Sequence, residues 1–234
     1  MVYMGSKRRL SRDLIPILTK DLEEDMWYVE PFVGGCNLID KIQHDKKIGA
    51  DINKYLIALL KYVQTGNKLP EYISREEYKA VKNNKDNYED WYVGFVGFCC
   101  SFRGLFFTNY IGNNIEKKNG KTEHYQHEQI NNLLKQNLNN IKLICCSYNK
   151  LLIPDNSIIY CDLPYKSTTK YKVEEFNYDK FWKWAKDMTL KGHKVFVSEY
   201  EAPKEFECIW QKEHNKNLGG RVQPSIEKLF IYNP

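Results

Sequence analysis

The chain has 234 residues, an ordinary apolar content of 42% and a formal net charge of +5. This length accommodates one large domain or a domain with an insertion, and the apolar content excludes a disordered chain. The excess of positive charge favours polyanionic partners only mildly, so local clusters of charge carry more information than the total.

The first predicted element is a helix over residues 7–22, which opens with a basic cluster. The cluster consists of Lys7, Arg8, Arg9 and Arg12. A second basic group, formed by Lys166, Lys170 and Lys172, lies much later in the chain. Each group is compatible with phosphate contacts and equally with a solvated charged face.

Short runs rich in β-branched and aromatic residues predict strands along the chain. These runs lie at residues 26–29, 47–52, 141–148, 157–161, 193–198, 208–212 and 228–232. Helical patterns lie between them, at residues 7–22, 38–44, 53–64 and 178–190. Alternation of this kind predicts an α/β sheet with helices on both faces.

The interval from about residue 69 to residue 140 shows no strand pattern. It contains helical segments at residues 75–82, 89–102 and 123–138, and a stretch rich in Gly, Asn and Lys at residues 112–121. We therefore predict a mostly helical insertion between the second and third sheet strands, packed against the sheet domain.

The seven cysteines form no C-x-x-C pair. Their odd number and the absence of a signal peptide predict reduced thiols in an intracellular protein. His124 and His127 have no Cys or acidic partner at ligand spacing, so we expect no metal. No apolar run approaches the roughly 18 residues of a membrane helix, so we expect no membrane association.

The first predicted strand runs into EPFVGGCN, residues 30–37. The paired glycines Gly34 and Gly35 let the backbone approach a ligand closely, and the start of a following helix favours anionic groups. Ordinary strand-to-helix turns use the same residues. The pattern is not G-x-G-x-x-G, which disfavours a dinucleotide fold.

The second predicted strand ends at Asp51. An acidic residue in this position can accept both hydroxyls of a ribose. The alternative is that Asp51 helps to start the helix at Asn53, which is a natural N-cap. Together with the paired glycines, Asp51 favours a nucleoside-containing cofactor.

The fourth predicted strand ends in YCDLPY, residues 160–165. Asp162 and the Leu163 carbonyl can accept both N–H groups of a planar exocyclic amine such as N6 of adenine, which turns the nitrogen lone pair toward an electrophile. Pro164 stiffens this backbone, and Tyr165 can stack on the ring. Preorganised acceptors of this kind lower a barrier by positioning and electrostatics.

Five short motifs follow one another in a distinctive order. They are YMGSK at 3–7, EPFVGG at 30–35, GADIN at 49–53, DLPY at 162–165 and FVSEY at 196–200. Together they resemble the Dam-type (D12 class, α-group) DNA adenine N6-methyltransferases over nearly the whole chain. The resemblance implies a Rossmann-like S-adenosylmethionine-dependent methyltransferase sheet in residues 1–66 and 141–234. Residues 67–140 would form an inserted, mostly helical target-recognition domain.

The resemblance also implies site residues and ligands. S-adenosylmethionine would be the cofactor, S-adenosylhomocysteine its product, and double-stranded DNA the partner. The implied cofactor contacts are Tyr3, Lys7, Glu30, Phe32, Gly34, Asp51, Ser147, Tyr148 and Asp162. The implied catalytic residues are Asp162, Leu163, Pro164 and Tyr165. Asp162 would lie between the cofactor and the target amine, and Tyr165 would stack on a flipped adenine.

Three positions depart from the family pattern. Leu163 replaces the second residue of D-P-P-Y, although the backbone carbonyl that accepts the amine hydrogen is retained. Ser147 stands where the family often has an acidic residue, and serine bonds the cofactor's adenine more weakly than a carboxylate. Cys36 replaces a third glycine. These changes predict weaker binding and do not imply loss of the site.

The stretch SFRGLFFTNY, residues 101–110, resembles the family's recognition segment. Arg and Asn side chains read base edges, and aromatic rings wedge or stack, although a run containing several Phe also suits a core. The candidate DNA contacts are Lys7, Arg103, Phe107, Asn109, Tyr110, Lys166, Lys170 and Arg221.

The leading hypothesis is methylation of adenine N6 in duplex DNA, in the cytoplasm of a bacterial or phage-infected cell. A catalytically silent module that binds DNA and S-adenosylmethionine is an alternative, because of Leu163 and Ser147. Cytosine N4 is another possible target, since the same acceptors suit either amine. The recognition sequence, the biological role (restriction protection or regulation) and the oligomeric state stay open, with GATC only a family-level guess and a monomer as the default.

Overall fold

A mixed, seven-stranded sheet forms the centre of the fold. The computed structural model describes residues 1–112, 114–116, 122–164, 176–218 and 221–234, and only the backbone of 114–116, 122–124, 214–218 and 221–224. The strands are β1 (Trp27–Glu30), β2 (Lys47–Asp51), β3 (Asn114–Glu116), β4 (Thr122–His124), β5 (Ile141–Cys145), β6 (Ser157–Asp162), β7 (Lys194–Glu199), β8 (Phe206–Leu218) and β9 (Arg221–Tyr232). The helices are α1 (Ser11–Leu18), α2 (Lys54–Gln64), α3 (Arg75–Asn83), α4 (Asp90–Gly94), α5 (Tyr125–Leu134) and α6 (Tyr178–Leu190).

The order of strands across the sheet is β5-β2-β1-β6-β7-β9-β8. Neighbours from β5 to β7 are parallel, and β9 runs antiparallel to both β7 and β8. The chain proceeds outward from β1 to β5 and then returns to β6, beside β1. Ligands of open α/β sheets bind at such a reversal, beyond the carboxyl ends of the strands. The predicted Rossmann-like α/β class is confirmed.

All seven predicted sheet strands are present. The last two are longer than predicted, because residues 213–218 and 221–227 also pair in the β8–β9 hairpin. Of the predicted helices, α2 and α6 agree closely with their patterns, and each begins with an Asn side chain that accepts backbone N–H groups. The Asn caps satisfy donors that lack partners inside the helix.

Two predicted helices are shorter than their patterns. Residues 38–44 form only the 3₁₀ turn Ile39–Lys41, after which Ile42 is extended. Residues 7–22 form a 3₁₀ turn, Lys7–Arg9, followed by α1. In residues 38–44 the buried side chains of Leu38, Ile39 and Ile42 hold the backbone against the core, whereas in the first turn the buried residue is Lys7. Tertiary contacts therefore override the helical pattern in both regions.

The insertion contains α3, α4, α5 and the π-helical segment Phe95–Cys99, which continues α4. The insertion is mostly helical, and it also contains a short antiparallel hairpin of β3 and β4 that the sequence pattern did not indicate. Strands of three residues are too short to give a visible alternating pattern.

The insertion packs closely against the sheet domain. A Cβ atom added to Gly94 in α4 would lie 2.1 Å from the carbonyl oxygen of Tyr55 in α2, so the two helices touch through their backbones. Buried side chains of α2 and α4, including Leu59 and Val93, belong to one hydrophobic cluster. The insertion therefore shares its core with the sheet, as predicted.

Candidate active site

Three acidic side chains lie at the carboxyl ends of neighbouring parallel strands. Glu30 ends β1, Asp51 ends β2 and Asp162 ends β6. Because β1 and β6 flank the reversal in strand order, these carboxylates lie at one edge of the sheet. The structure thus brings together the acids that the sequence analysis selected.

The glycine turn after β1 joins the N-terminal segment to Asp51. Gly34 has a φ of 49°, and a Cβ atom there would lie 2.8 Å from Cε1 of Tyr3. The Gly34 N–H donates to Asp51 Oδ2 at 3.2 Å, and the Asn53 N–H donates to Oδ1 at 2.9 Å. A side chain at Gly34 would therefore be strained by its backbone and would also displace the Tyr3 ring.

The electrostatics of Asp51 are set by opposing effects. Burial raises the pKa of its carboxyl, and the backbone N–H groups of Asn53 and Gly34 lower it, with a net rise. Each carboxylate oxygen can accept more than one hydrogen bond, so the bonds to Gly34 and Asn53 do not exhaust its capacity to hold hydroxyl groups.

Lys7 and Asp162 form an ion pair at the centre of the site. Lys7 Nζ donates to Asp162 Oδ1 at 2.7 Å and lies 3.3 Å from Glu227 Oε1. Burial by itself lowers the pKa of Lys7, but the two carboxylates raise it by more, so its net pKa lies above the ordinary value. Lys7 is thus a cation held in the protein interior against the predicted catalytic acid.

Glu30 is buried close to the same pair. Its Oε1 accepts the Tyr28 hydroxyl at 3.1 Å. Burial raises the pKa of Glu30 well above its ordinary value, the Tyr28 hydrogen bond lowers it, and the nearby Asp162 carboxylate raises it further. A cation held close to Glu30 would therefore lower the pKa of its carboxyl.

Phe32 and Tyr148 belong to an aromatic cluster beside the glycine turn. Their ring centroids lie 5.3 Å apart, and both rings also contact Phe176 and Phe181. The Ser147 hydroxyl donates to Asn149 Oδ1 at 2.7 Å. These predicted cofactor residues line one side of the sheet edge at which Asp51 lies.

The DLPY segment is anchored on both sides of its backbone. The Leu163 side chain is only 2% exposed and packs in a cluster that includes Val29 and Phe181. The Tyr178 hydroxyl, at the start of α6, donates to the Pro164 carbonyl. Tyr165 lies outside the described residues. Packing of Leu163 offsets the freedom that replacing proline introduces.

The recognition candidates fall into two groups in the structure. Arg103 and Asn109 are exposed, and the Arg103 guanidinium lies over the exposed ring of Phe102, 5.1 Å from its centroid. Phe107 is only 6% exposed and packs against Phe106 and Tyr78, so its ring faces the core of the insertion and not a surface that DNA could contact.

Tyr110 is partly buried, and its hydroxyl donates to the Ile73 carbonyl oxygen at 2.8 Å. This bond holds the ring within the insertion. Lys166 and Lys170 lie outside the described residues, and only the backbone of Arg221 is described. The DNA contacts predicted for these three side chains stay predictions.

Sequence reasoning missed residues that tertiary structure brings to the site. Ile52, directly after Asp51, is 66% exposed, which is unusual for a large apolar side chain. Gln136, near the end of the insertion, donates from Nε2 to the carbonyls of Gly35 at 2.8 Å and Cys36 at 3.1 Å. Glu227 was also missed. The one sequence signal for its burial is its position in the strand segment IEKLFIY, two residues before Leu229 and therefore on the same face as that apolar side chain.

Within the described residues, no group of three or more His, Cys, Asp or Glu side chains is arranged to hold a metal ion. No helix in this part of the chain is both long and apolar enough to cross a membrane.

Two known methyltransferases are similar to this chain in sequence. M.FokI of Planomicrobium okeanokoites, a Type II methyltransferase, is 25% identical over 71% of this chain and 29% of its own length. The retron Ec67 DNA adenine methylase of Escherichia coli is 26% identical over 84% of this chain and 75% of its own length. The chain thus spans less than a third of the first relative and three quarters of the second.

Among solved structures, the rRNA methyltransferase aviRa of Streptomyces viridochromogenes has a TM-score of 0.41 and 11% identity, over 96% of this chain and 84% of its own. This similarity is distant, and the description of the site depends on the strand order and on the acids at the sheet edge. Residues 3–222 match the family described as D12 class N6 adenine-specific DNA methyltransferase. The chain, from the Tyr3 segment to the β8–β9 hairpin, therefore belongs to this family.

Proposed function

We propose that this protein transfers a methyl group from S-adenosylmethionine to N6 of an adenine flipped out of duplex DNA. The single observation that carries the proposal is Asp162, held by Lys7 at the sheet reversal in a chain of the D12 family. Cytosine N4 offers a chemically similar amine, and identification of the product nucleoside distinguishes the two targets.

The residues at the sheet edge fit the proposed cofactor. Gly34 and Gly35 leave the backbone bare beneath Tyr3, Asp51 presents a carboxylate, and Ile52 exposes an apolar surface beside it. Asp51 would hold the ribose, whereas Ile52 and the Phe32 and Tyr148 rings would pack on the adenine side. Glu30 and Tyr3 would lie toward the methionine part. When bound, S-adenosylmethionine supplies the electrophilic methyl group.

Asp162 and the DLPY backbone would activate the target amine. The Asp162 carboxylate accepts one N–H and the Leu163 carbonyl accepts the other, so that the nitrogen lone pair becomes available for attack. As the nitrogen gains positive charge, the Asp162 carboxylate stabilises it and provides the first acceptor for the departing proton. Tyr165 would stack on the flipped base.

The proposed DNA surface surrounds this site. Arg8, Arg9 and Arg12 are exposed next to Lys7, so they would neutralise phosphates close to the flipped nucleotide. Extrusion of a base costs a few kcal/mol, which contacts with the duplex must offset. Residues 67–140 would supply the recognition side chains, with Arg103 and Asn109 as the exposed candidates.

Incubation with unmethylated plasmid and S-adenosylmethionine should yield N6-methyladenine. Digestion of the DNA to nucleosides, followed by mass spectrometry, identifies the product directly. Detection of N4-methylcytosine instead would identify cytosine as the target. The absence of any methylated nucleoside, with binding of DNA and cofactor both measured, would favour the catalytically silent module.

Glu30 should release a proton when the cofactor binds. Burial keeps the pKa of its carboxyl well above 4.5, and a cationic cofactor held beside it would lower that pKa. Titration calorimetry over a series of pH values, in buffers of different ionisation enthalpy, measures the number of protons released and the pH range in which the release occurs. Glu30→Gln should bind with no such release, and an undiminished release in this variant would refute the assignment.

A further inference from the structure

Lys7 faces a second carboxylate that the proposed chemistry does not use. Glu227 is only 2% exposed and Lys7 only 5%, and their charged atoms lie 3.3 Å apart. Asp162, on the other side of the ammonium, is 22% exposed and therefore reaches the open edge of the site. The cation thus bridges one carboxylate in the interior and one that faces the substrate.

The fold explains why these three residues meet. In β9, Glu227 lies on the same side as Leu229, which packs in the core beneath α1. Tyr160 in β6 faces this side too, and its hydroxyl bonds to Ser198 Oγ in β7 at 2.8 Å. Asp162, two residues beyond Tyr160, continues that face to the sheet edge. Lys7, just before α1, enters between the ends of β6 and β9.

Burying a carboxylate without a function is expensive, because its desolvation must be offset by a partner. Here Glu227 and Asp162 share the Lys7 ammonium, so Lys7 neutralises the charge of Asp162 only in part. An acceptor that is completely neutralised by its own counter-ion binds an amine hydrogen more weakly. A second carboxylate behind the lysine leaves more negative charge on the Asp162 oxygens.

We propose that Glu227 is a positioning residue for methyl transfer, acting through Lys7. It holds the ammonium at the back of the site and shares its charge, so that Asp162 stays oriented and strongly basic toward the target amine. This inference rests on the proposed methyltransferase function and adds to it a residue 65 positions beyond Asp162, at the opposite end of the chain from Lys7.

Glu227→Gln should lower the single-turnover rate of methyl transfer about tenfold, since it weakens a charged interaction by about 1.5 kcal/mol. The dissociation constants for DNA and S-adenosylmethionine should change much less, because Glu227 would touch neither. Glu207→Gln, an exposed acid-to-amide change in β8, is the matched control and should leave the rate unchanged.

The pH profile separates this role from a structural one. Asp162 and Glu227 face Lys7. Within the described part of the chain, the titratable groups that interact with these carboxylates also include Glu30 of β1, Tyr160 and Cys161 of β6, and Tyr3. Deprotonation of Lys7 removes the ammonium that orients Asp162, so the rate should fall at alkaline pH. Loss of the Glu227 charge lowers the pKa of Lys7, so this fall should begin at a lower pH in Glu227→Gln. Glu207→Gln should retain the wild-type profile.

A double-mutant cycle with Lys7→Met supplies a measurement independent of activity. If Glu227 acts through Lys7, removing its charge should restore part of the unfolding free energy that Lys7→Met loses, because the buried Glu227 carboxylate would no longer face a position that has lost its cation. Additive losses in urea unfolding would overturn the proposal. So would a wild-type rate and pH profile in Glu227→Gln. An inactive wild-type protein would instead contradict the proposed function, and the unfolding cycle would still report on the pairing.

Discussion

Asp162→Ala should abolish methyl transfer while the protein stays folded and binds DNA. The carboxylate is the group that would accept the amine hydrogen and stabilise the charge that develops on nitrogen. Loss of one preorganised electrostatic group of this kind costs about 10²–10³-fold in rate, and the alanine variant loses the acceptor entirely. Quenched-flow single turnover with labelled cofactor measures the effect over that range.

Folding of this variant is expected because Lys7 keeps one carboxylate, Glu227, as its partner. Asp162→Asn is the matched variant, since it keeps an acceptor oxygen of similar shape but lacks the charge. It should be impaired less than Asp162→Ala. A rate within tenfold of wild type for Asp162→Ala would show that groups other than Asp162 accept the proton and stabilise the charge that develops on nitrogen.

Lys7→Met should cause the largest loss of stability among single changes at the site. It removes the cation between Asp162 and Glu227 and leaves two carboxylates facing each other, one of them fully buried. Removing one partner from a buried ion pair typically costs about 3–5 kcal/mol of unfolding free energy. Urea unfolding at pH 7.5 gives this difference directly.

The pH dependence of this loss has a definite sign. The pKa of Lys7 in the folded protein lies above its ordinary value of 10.5, so its stabilising effect is fully present below pH 10.5 and fades as the pH rises through the folded value. The stability difference between Lys7→Met and wild type should therefore stay constant between pH 7 and 9 and narrow in stronger alkali.

Lys212→Met is the control for Lys7→Met. Lys212 also pairs with an acid, Asp13, at 2.8 Å, but the side chains are 47% and 33% exposed. Exposed pairs contribute about 0–1 kcal/mol, because water screens the charges and the side chains lose entropy. A loss for Lys7→Met no larger than that for Lys212→Met would mean that water reaches the Lys7 ammonium freely.

The differences between expectation and structure share a physical cause. The helix expected at residues 38–44 became the turn Ile39–Lys41 because its apolar residues pack into the core between β1 and β2. The ring of Phe107 was expected on a DNA-facing surface, yet it packs against Tyr78 and Phe106 in the insertion. The local sequence indicated a helical pattern in the first stretch and an aromatic recognition segment in the second. The orientation of each side chain, however, depended on residues distant in the chain.

Local pattern by itself determined the order of the seven sheet strands, the helices α2 and α6, the insertion between β2 and β5, and the acids at the ends of β1, β2 and β6. Each depends on periodicity or on a residue at a strand terminus, which adjacent residues reveal. Only the tertiary structure decided that Lys7 pairs with both Asp162 and Glu227, and that Gln136 holds the glycine turn. These contacts join residues far apart in the chain, where a lone charge or amide gives no local sign of its partner. Packing of α1 onto the face of the sheet that carries Glu227 of β9 brings Lys7 to its two carboxylates.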